Sequence, residues 1–308
     1  MTTVSQAEVA ASLDGLRGRV DAALGSFLVG VDSELREMDP AASPLLAEIR
    51  RLLAAGGKRM RPAFCYWGFR AAPGPDAPSE PDAPGDPDAS DGRAIVRAAA
   101  ALELLHTMAI VHDDLMDEAR TRRGVPSVHA HLESVLASGP GDDARRRARS
   151  AAILVGDLAA VLADRMFLEA GFDAEATVRA LDRYHRMRTT MAAGQFLDVA
   201  MPGRGVEAAR RAAALKGGEY SVAGPLAIGA ALAGASEAQR AALSAFGAPL
   251  GEAFQLRDDL VDGEGAHGAT PALVNALVEE ARSALAPPVL HPEAVAALRA
   301  MADVLEMP

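Results

Sequence analysis

Five long stretches of this chain repeat apolar residues at three- and four-residue spacing: Ile95–Met116, Ala151–Ala170, Ala174–Met201, Val206–Ala233 and Glu237–Asp262. Only an α-helix gathers such positions onto one face. Short glycine or proline breaks divide them, at Gly139-Pro140-Gly141, Gly171, Pro202-Gly203, Gly234 and Gly263. Long helices with short connections pack as neighbours around a common centre. Several are apolar on most of their circumference, as helices in the middle of a bundle are. The expected fold class is therefore all-α. Composition agrees: alanine and leucine dominate, aromatics are only 4%, and β-branched runs are scarce.

A length of 308 residues suits one large domain or two ordinary ones. One segment bears on the choice. Prolines recur at 73, 75, 78, 81, 84 and 87, which forbids a helix across 72–92 and favours an extended, solvated strap. We read 72–92 as a disordered loop between two helices of a single domain spanning 1–308. A linker between domains is the alternative, but the preceding residues look too few to hold a core of their own.

The net charge of -11 argues against a nucleic-acid binder, which needs a basic face. An acidic protein can still hold an anionic substrate when metal ions bridge the two. Cys65 is the single cysteine, so no internal disulfide or cysteine-rich metal site is available, and a reducing cytoplasm is the expected location. Met1–Gly15 has no basic region followed by an apolar stretch, so no signal peptide is expected. The longest apolar runs, such as Ala223–Ala235, fall short of the roughly 20 residues a spanning helix needs. No transmembrane segment is expected.

Two helices end in aspartates. The first closes on His112-Asp113-Asp114-Leu115-Met116-Asp117, the second on Phe254-Gln255-Leu256-Arg257-Asp258-Asp259-Leu260-Val261-Asp262. Asp113 and Asp117 are four apart and share a helix face. Acidic residues do crowd solvated helix ends. Two such clusters on apolar helices are another matter, because buried carboxylates are costly without a paired cation. Oxygen-only ligands favour magnesium, which takes one or two carboxylates and fills its shell with water and phosphate. Two facing clusters would hold a diphosphate between them. Cations for it stand nearby in sequence: Arg120, Arg122 and Arg123, and the turn Gly56-Gly57-Lys58-Arg59-Met60-Arg61-Pro62, which presents three more.

From about Leu45 to Asp262 these residues resemble the trans-polyprenyl diphosphate synthase family, which includes the farnesyl and geranylgeranyl diphosphate synthases. The basic glycine turn, both Asp-Asp-x-x-Asp motifs, Arg122-Arg123, Gly194-Gln195 with Asp198, Lys216 and Phe254-Gln255 occur in the family's order. The resemblance implies an isoprenoid synthase bundle around a central cavity, a homodimer, and a magnesium-dependent prenyltransferase that condenses isopentenyl diphosphate with dimethylallyl, geranyl or farnesyl diphosphate. It implies that Lys58, Arg61, His106 and Arg123 bind isopentenyl diphosphate, and that Arg122 lies beside the allylic diphosphate. Asp113 and Asp117 would hold two magnesium ions. Asp258 would hold a third, supported by Asp259 and Asp262. Lys216 and Gln255 would face the reacting allylic end, with Gln195 and Asp198 on another helix of the same cavity, Asp198 toward metal and Gln195 toward substrate. Ala109 and Met108, a turn deeper than Asp113, leave room for a chain longer than fifteen carbons, with geranylgeranyl diphosphate the expected product.

The chain departs from the family in three places. Gly217 stands where threonine usually follows the lysine. The region 263–272 is short and lacks a lysine-containing glycine loop, and the 72–92 strap is long. The shortened region keeps a catalytically weak subunit or binding protein as one alternative. A class I terpene cyclase is another, disfavoured because a cyclase needs no isopentenyl site.

Overall fold

The computed structural model describes residues 6–72, 90–137, 143–201, 205–262, 268–285 and 289–307. Of the expected loop over 72–92, positions 73–89 lie outside the described residues, as do 263–267 of the shortened region, whereas Ser90–Gly92 are helical, because the last proline is at 87 and nothing after it breaks the helix. Helices make up nearly all of the rest, so the all-α expectation holds. In chain order they are α1 (Gln6–Met38), α2 (Ser43–Ala54), α3 (Met60–Ala71), α4 (Ser90–Met116), α5 (Val128–Leu136), α6 (Ala144–Leu168) and α7 (Ala174–Ala200). There follow α8 (Val206–Ala213), a π-helical stretch (Ala214–Ala223), α9 (Gly224–Leu232), α10 (Glu237–Asp262), α11 (Pro271–Ala284) and α12 (Pro292–Asp303). A small antiparallel hairpin, β1 (Thr121–Arg122) and β2 (Val125–Pro126), sits between α4 and α5.

The sequence periods locate these helices well, with two differences. α6 starts at Ala144, seven residues before the expected Ala151, since Arg145, Arg146, Arg147 and Arg149 in its first two turns mask the apolar spacing. The segment expected as one helix over Val206–Ala233 is interrupted by ten residues of π-helix. Gly217 and Gly218 lie at its centre, and glycine holds the regular α-helix poorly. Such π segments gather at functional sites.

The chain divides into two compact units. The larger comprises Met1–Arg17, Met60–Ile95 and Gly171–Pro308; the smaller comprises Gly18–Arg59 and Val96–Ala170. In the smaller unit, Val20, Leu24, Leu28 and Val31 of α1 and Leu46, Ile49 and Leu52 of α2 are buried by their helical spacing. Arg50 Nη2 donates to Leu28 O at 2.9 Å, and α2 and α5 both pack on α6. In the larger unit α3 packs on α9, α7 and α10 pack on the π-helical stretch, and α11 packs on α10. Phe64, Trp67, Tyr184 and Phe246 are buried there. Full burial of the Cys65 side chain pushes its thiol well above the usual range, so it is not a ready nucleophile.

The expectation drawn from uninterrupted apolar runs needs one correction. Gly92–Met116 is long and apolar enough to cross a membrane, with a mean hydropathy of 1.6, because a few polar residues break the run without lowering its average. In the structure 72% of that window is buried inside the protein, as befits a core helix.

Candidate active site

In the smaller unit, α4 carries the first aspartate cluster to its C-terminal end. Asp117 N donates to Asp113 O at 2.9 Å, so helical spacing continues one residue past the last turn. The three carboxylates differ in setting: Asp117 is exposed, Asp113 is half-buried, and Asp114 is 1% exposed. The hairpin then returns Arg122 to the cluster. Its Nε donates to Asp114 Oδ1 at 2.8 Å, and its Nη2 lies 3.3 Å from Asp113 Oδ2. Burial pushes the Asp114 carboxyl above its ordinary range. The Arg122 hydrogen bond opposes that rise, and repulsion from Asp113 and Asp117 adds to it. The second Asp114 oxygen is buried without a hydrogen-bond partner among the described residues. The motif reading assigned Asp114 no part, yet it is the residue that locks Arg122 in place.

Beside this cluster the glycine turn, His106 and Arg123 come together. Arg123 adopts a left-handed backbone, φ 51°, at the hairpin turn. Its Nη1 donates to Gly56 O, and its Nη2 lies 3.4 Å from His106 Nε2. A small cavity there is lined by Leu52, Arg59, Glu103, His106, Ile110 and Arg123, among others. Lys58 is exposed on the same turn. Arg59 corrects the expectation that the turn offers three cations. It is 6% exposed and points inward. Its Nη1 bonds Glu103 Oε2 at 2.8 Å, its Nε bonds Asp21 Oδ1 at 2.9 Å, and its Nη2 bonds Leu53 O at 2.9 Å.

The larger unit holds the remaining residues, including Arg61. Arg61 Nη2 donates to Ser221 Oγ at 2.8 Å, and its guanidinium lies 4.6 Å over the Tyr220 ring. Both partners belong to the π-helical stretch, as does Lys216, whose Nζ is 2.9 Å from Asp198 Oδ2 on α7. Gln195 is half-buried three residues before Asp198. Gly194 has a specific use, since a methyl group there would stand 2.3 Å from the Lys216 backbone nitrogen. On α10, Gln255 Nε2 donates to Asp259 Oδ1 at 2.9 Å. Asp259 is buried and Asp258 half-buried, while the Asp262 side chain lies outside the described residues.

Among the described residues no three histidine, cysteine, aspartate or glutamate side chains close into a metal cage. Magnesium does not require one: one or two carboxylates suffice when phosphate and water complete the shell. Asp113 and Asp117, one turn apart beside a buried carboxylate oxygen without a partner, fit such an ion.

These motifs in this helical order define a lineage. The polyprenyl synthetase family model matches residues 43–270. The chain belongs to the polyprenyl synthetase family. It is 30% identical over 247 residues to the geranylfarnesyl diphosphate synthase of Natronomonas pharaonis, covering 79% of this chain and 68% of that protein. It is 29% identical over 236 residues to the geranylgeranyl diphosphate synthase of Methanosarcina mazei, covering 75% and 63%. A match to the Mycobacterium tuberculosis nonaprenyl diphosphate synthase covers 58% of that protein, so the chain spans less than two thirds of two of these three curated relatives. A crystal structure of the geranylgeranyl pyrophosphate synthase of Corynebacterium glutamicum, complexed with isoprenyl diphosphate and magnesium, aligns with a TM-score of 0.84 at 27% identity, covering 95% of this chain and 98% of that one. This likeness bears out the isoprenoid synthase fold of the polyprenyl synthetases.

Proposed function

We propose that this polyprenyl synthetase condenses an allylic diphosphate with isopentenyl diphosphate, and that its product is geranylgeranyl diphosphate. The observation that carries the reading is the grouping in the smaller unit: the Asp113 and Asp117 carboxylates beside Arg122, with His106, Arg123 and the Gly56-Gly57-Lys58 turn adjoining. Such a grouping suits two anionic substrates, one bridged by metal and one held by cations directly. Geranylgeranyl diphosphate synthases among the relatives and structural neighbours support the product class.

In this reading Asp113 and Asp117 would hold two magnesium ions, and Asp258, supported by Asp259 and Asp262, would hold a third. Bound magnesium supplies Lewis-acid stabilisation of the leaving diphosphate. Arg122, fixed by Asp114, presents its remaining donor edge to the allylic diphosphate without reorganising as the C–O bond breaks. Lys58, Arg61, His106 and Arg123 hold isopentenyl diphosphate, whose double bond forms the new C–C bond to the ionised allylic carbon before a proton passes to the released diphosphate. Lys216, Gln195 and Gln255 line the allylic end, and Asp198, paired with Lys216 at 2.9 Å, is a further carboxylate that would serve the metal. We further propose a homodimer in the cytoplasm. Incubation of the purified protein with magnesium, isopentenyl diphosphate and each of dimethylallyl, geranyl and farnesyl diphosphate, followed by product identification, tests the reading. Absence of elongation with all three would overturn it.

Two variants separate the substrates. Arg61→Ala should raise KM for isopentenyl diphosphate about ten- to a hundred-fold, the worth of one charge-assisted contact at about 1.5–3 kcal/mol. Arg122→Ala should act on the allylic KM instead, and should also lower the melting temperature, because Asp114 is left buried and unpaired. Equal KM effects on both substrates would sink this division.

Product length has its own test. Met108 and Ala109 are half-buried on α4, one turn before Asp113. Alanine leaves space there and methionine can move aside. Met108→Phe with Ala109→Phe should shift the principal product from twenty carbons to fifteen or ten while the first condensation survives. An unchanged product distribution would place the ruler elsewhere.

A further inference from the structure

The larger unit contains a side-chain arrangement that none of the assigned roles explains. Gly217 is buried in the π-helical stretch. A methyl group there would stand 1.6 Å from Gln255 Oε1 and 2.7 Å from Gln255 Cδ. The volume that any larger residue at 217 would need is thus occupied by the amide of Gln255. The other end of that amide, Nε2, donates to Asp259 Oδ1 at 2.9 Å, one turn further along α10. Nearby the two elements meet backbone to backbone: a methyl on Gly251 would lie 2.5 Å from Gly218 O. That contact fixes the separation across which the amide reaches.

We infer that Gly217 and Gln255 form a matched pair that positions Asp259 for metal, a role that rests on the magnesium reading given above. The chemistry favours an amide for this task. An amide N–H orients a carboxylate but leaves its charge intact, whereas a lysine or arginine would offset the charge that a cation needs. Turning the amide over would set its oxygen against the Asp259 carboxylate, so the donor is pinned as well as the side chain. No lysine follows Lys216 in the chain, and the hydroxyl that threonine would bring at 217 is absent. In its place, glycine admits a fixed amide beneath the second aspartate cluster. Gln255 is thereby a positioning residue for Asp259, in addition to its place at the allylic end.

The test uses the intact protein and inorganic diphosphate, which has no allylic chain and so isolates the metal from Gln255's contact with substrate. Thermal stabilisation is followed as magnesium is titrated at fixed diphosphate. Gly217→Ala and Gln255→Ala should each raise the half-saturating magnesium concentration about ten-fold, the usual effect of losing a group that orients a ligand. The double variant should be no worse than Gln255→Ala alone, because a methyl at 217 then meets no amide. Multiplicative effects, or unmoved half-saturation in both single variants, would overturn the pairing. Should Gly217→Ala fail to fold, Gln255→Ala, which only removes atoms, decides the matter by the same readout. A wild-type protein that magnesium and diphosphate do not stabilise would sink the underlying magnesium reading, whereas normal wild-type stabilisation with insensitive variants would sink only the positioning role.

Discussion

Asp113→Ala or Asp117→Ala should abolish condensation for practical purposes, by about a thousand-fold or more, while leaving the helical circular dichroism spectrum and the melting temperature nearly unchanged. The two halves of this expectation have separate causes. Asp117 is exposed and Asp113 half-buried, so neither contributes much packing, and removing either relieves like-charge repulsion on Asp114. The activity loss follows from the ion. Removing one carboxylate from a site that depends on it for charge stabilisation in the transition state forfeits about 4 kcal/mol, or about three decades in rate. Asp114→Ala makes the contrast. It should lower stability as well as activity, because Arg122 would lose the hydrogen-bonded partner that compensates its burial. Single-turnover product formation and thermal melts on the same preparations separate the cases. If Asp113→Ala or Asp117→Ala kept activity within ten-fold of wild type, the metal assignment on α4 would be wrong. If they melted like Asp114→Ala, these residues would be structural.

Much of this architecture was legible in the sequence because its signals are local. A helix of three or more turns writes its apolar face at three- and four-residue spacing, so α4, α7 and α10 stand within a few residues of where the pattern puts them. The motif residues were legible for a similar reason: Asp113, Asp117, Arg122 and Arg123 are brought together by one helix end and one tight hairpin. What depends on distant partners was not legible. Nothing within the turn says that Arg59 points inward, because the carboxylate that draws it there stands 44 positions further along. Nor does the sequence show that Gly217 makes room for Gln255, since that fit needs the register of α10 against a π-helical stretch. The π-helix itself was hidden because it runs for only ten residues between two α-helices, too few turns for a changed period to stand out. Lys58 and Lys216 are the only lysines in the chain. In a protein that otherwise uses arginine throughout, a lysine marks a place where a compact point charge is wanted.

Glu103→Ala should destabilise the protein by about 3–5 kcal/mol, more than any other substitution considered above, because it strips a buried guanidinium of its buried counter-charge. Arg59 and Glu103 are 6% and 4% exposed, so solvent cannot replace the lost partner. Asp21, the other carboxylate on Arg59, is 43% exposed at its side chain, and its attraction is screened accordingly. The pair also shapes the turn before α3. Arg59 sits at φ 51°, a conformation unfavourable to any residue with a Cβ, and is held there by its three hydrogen bonds. One of them, to Leu53 O, joins the bond that this carbonyl accepts from Gly56 N at 3.3 Å and ties the side chain to the last turn of α2. Stability and site geometry can therefore be pulled apart. Arg59→Met with Glu103→Leu removes both charges and fills the space with apolar atoms, so most of the stability lost in Glu103→Ala should return. The turn, however, loses its anchors to α1, α2 and α4, and Lys58 is then poorly placed. The double variant should accordingly show a near-normal denaturation midpoint with a KM for isopentenyl diphosphate raised about ten-fold or more. Chemical denaturation and steady-state kinetics on the two variants check this. A Glu103→Ala protein within about 1 kcal/mol of wild type would mean that the pair is solvated in solution. A double variant with unchanged KM would mean that Arg59 stabilises the unit without setting the turn.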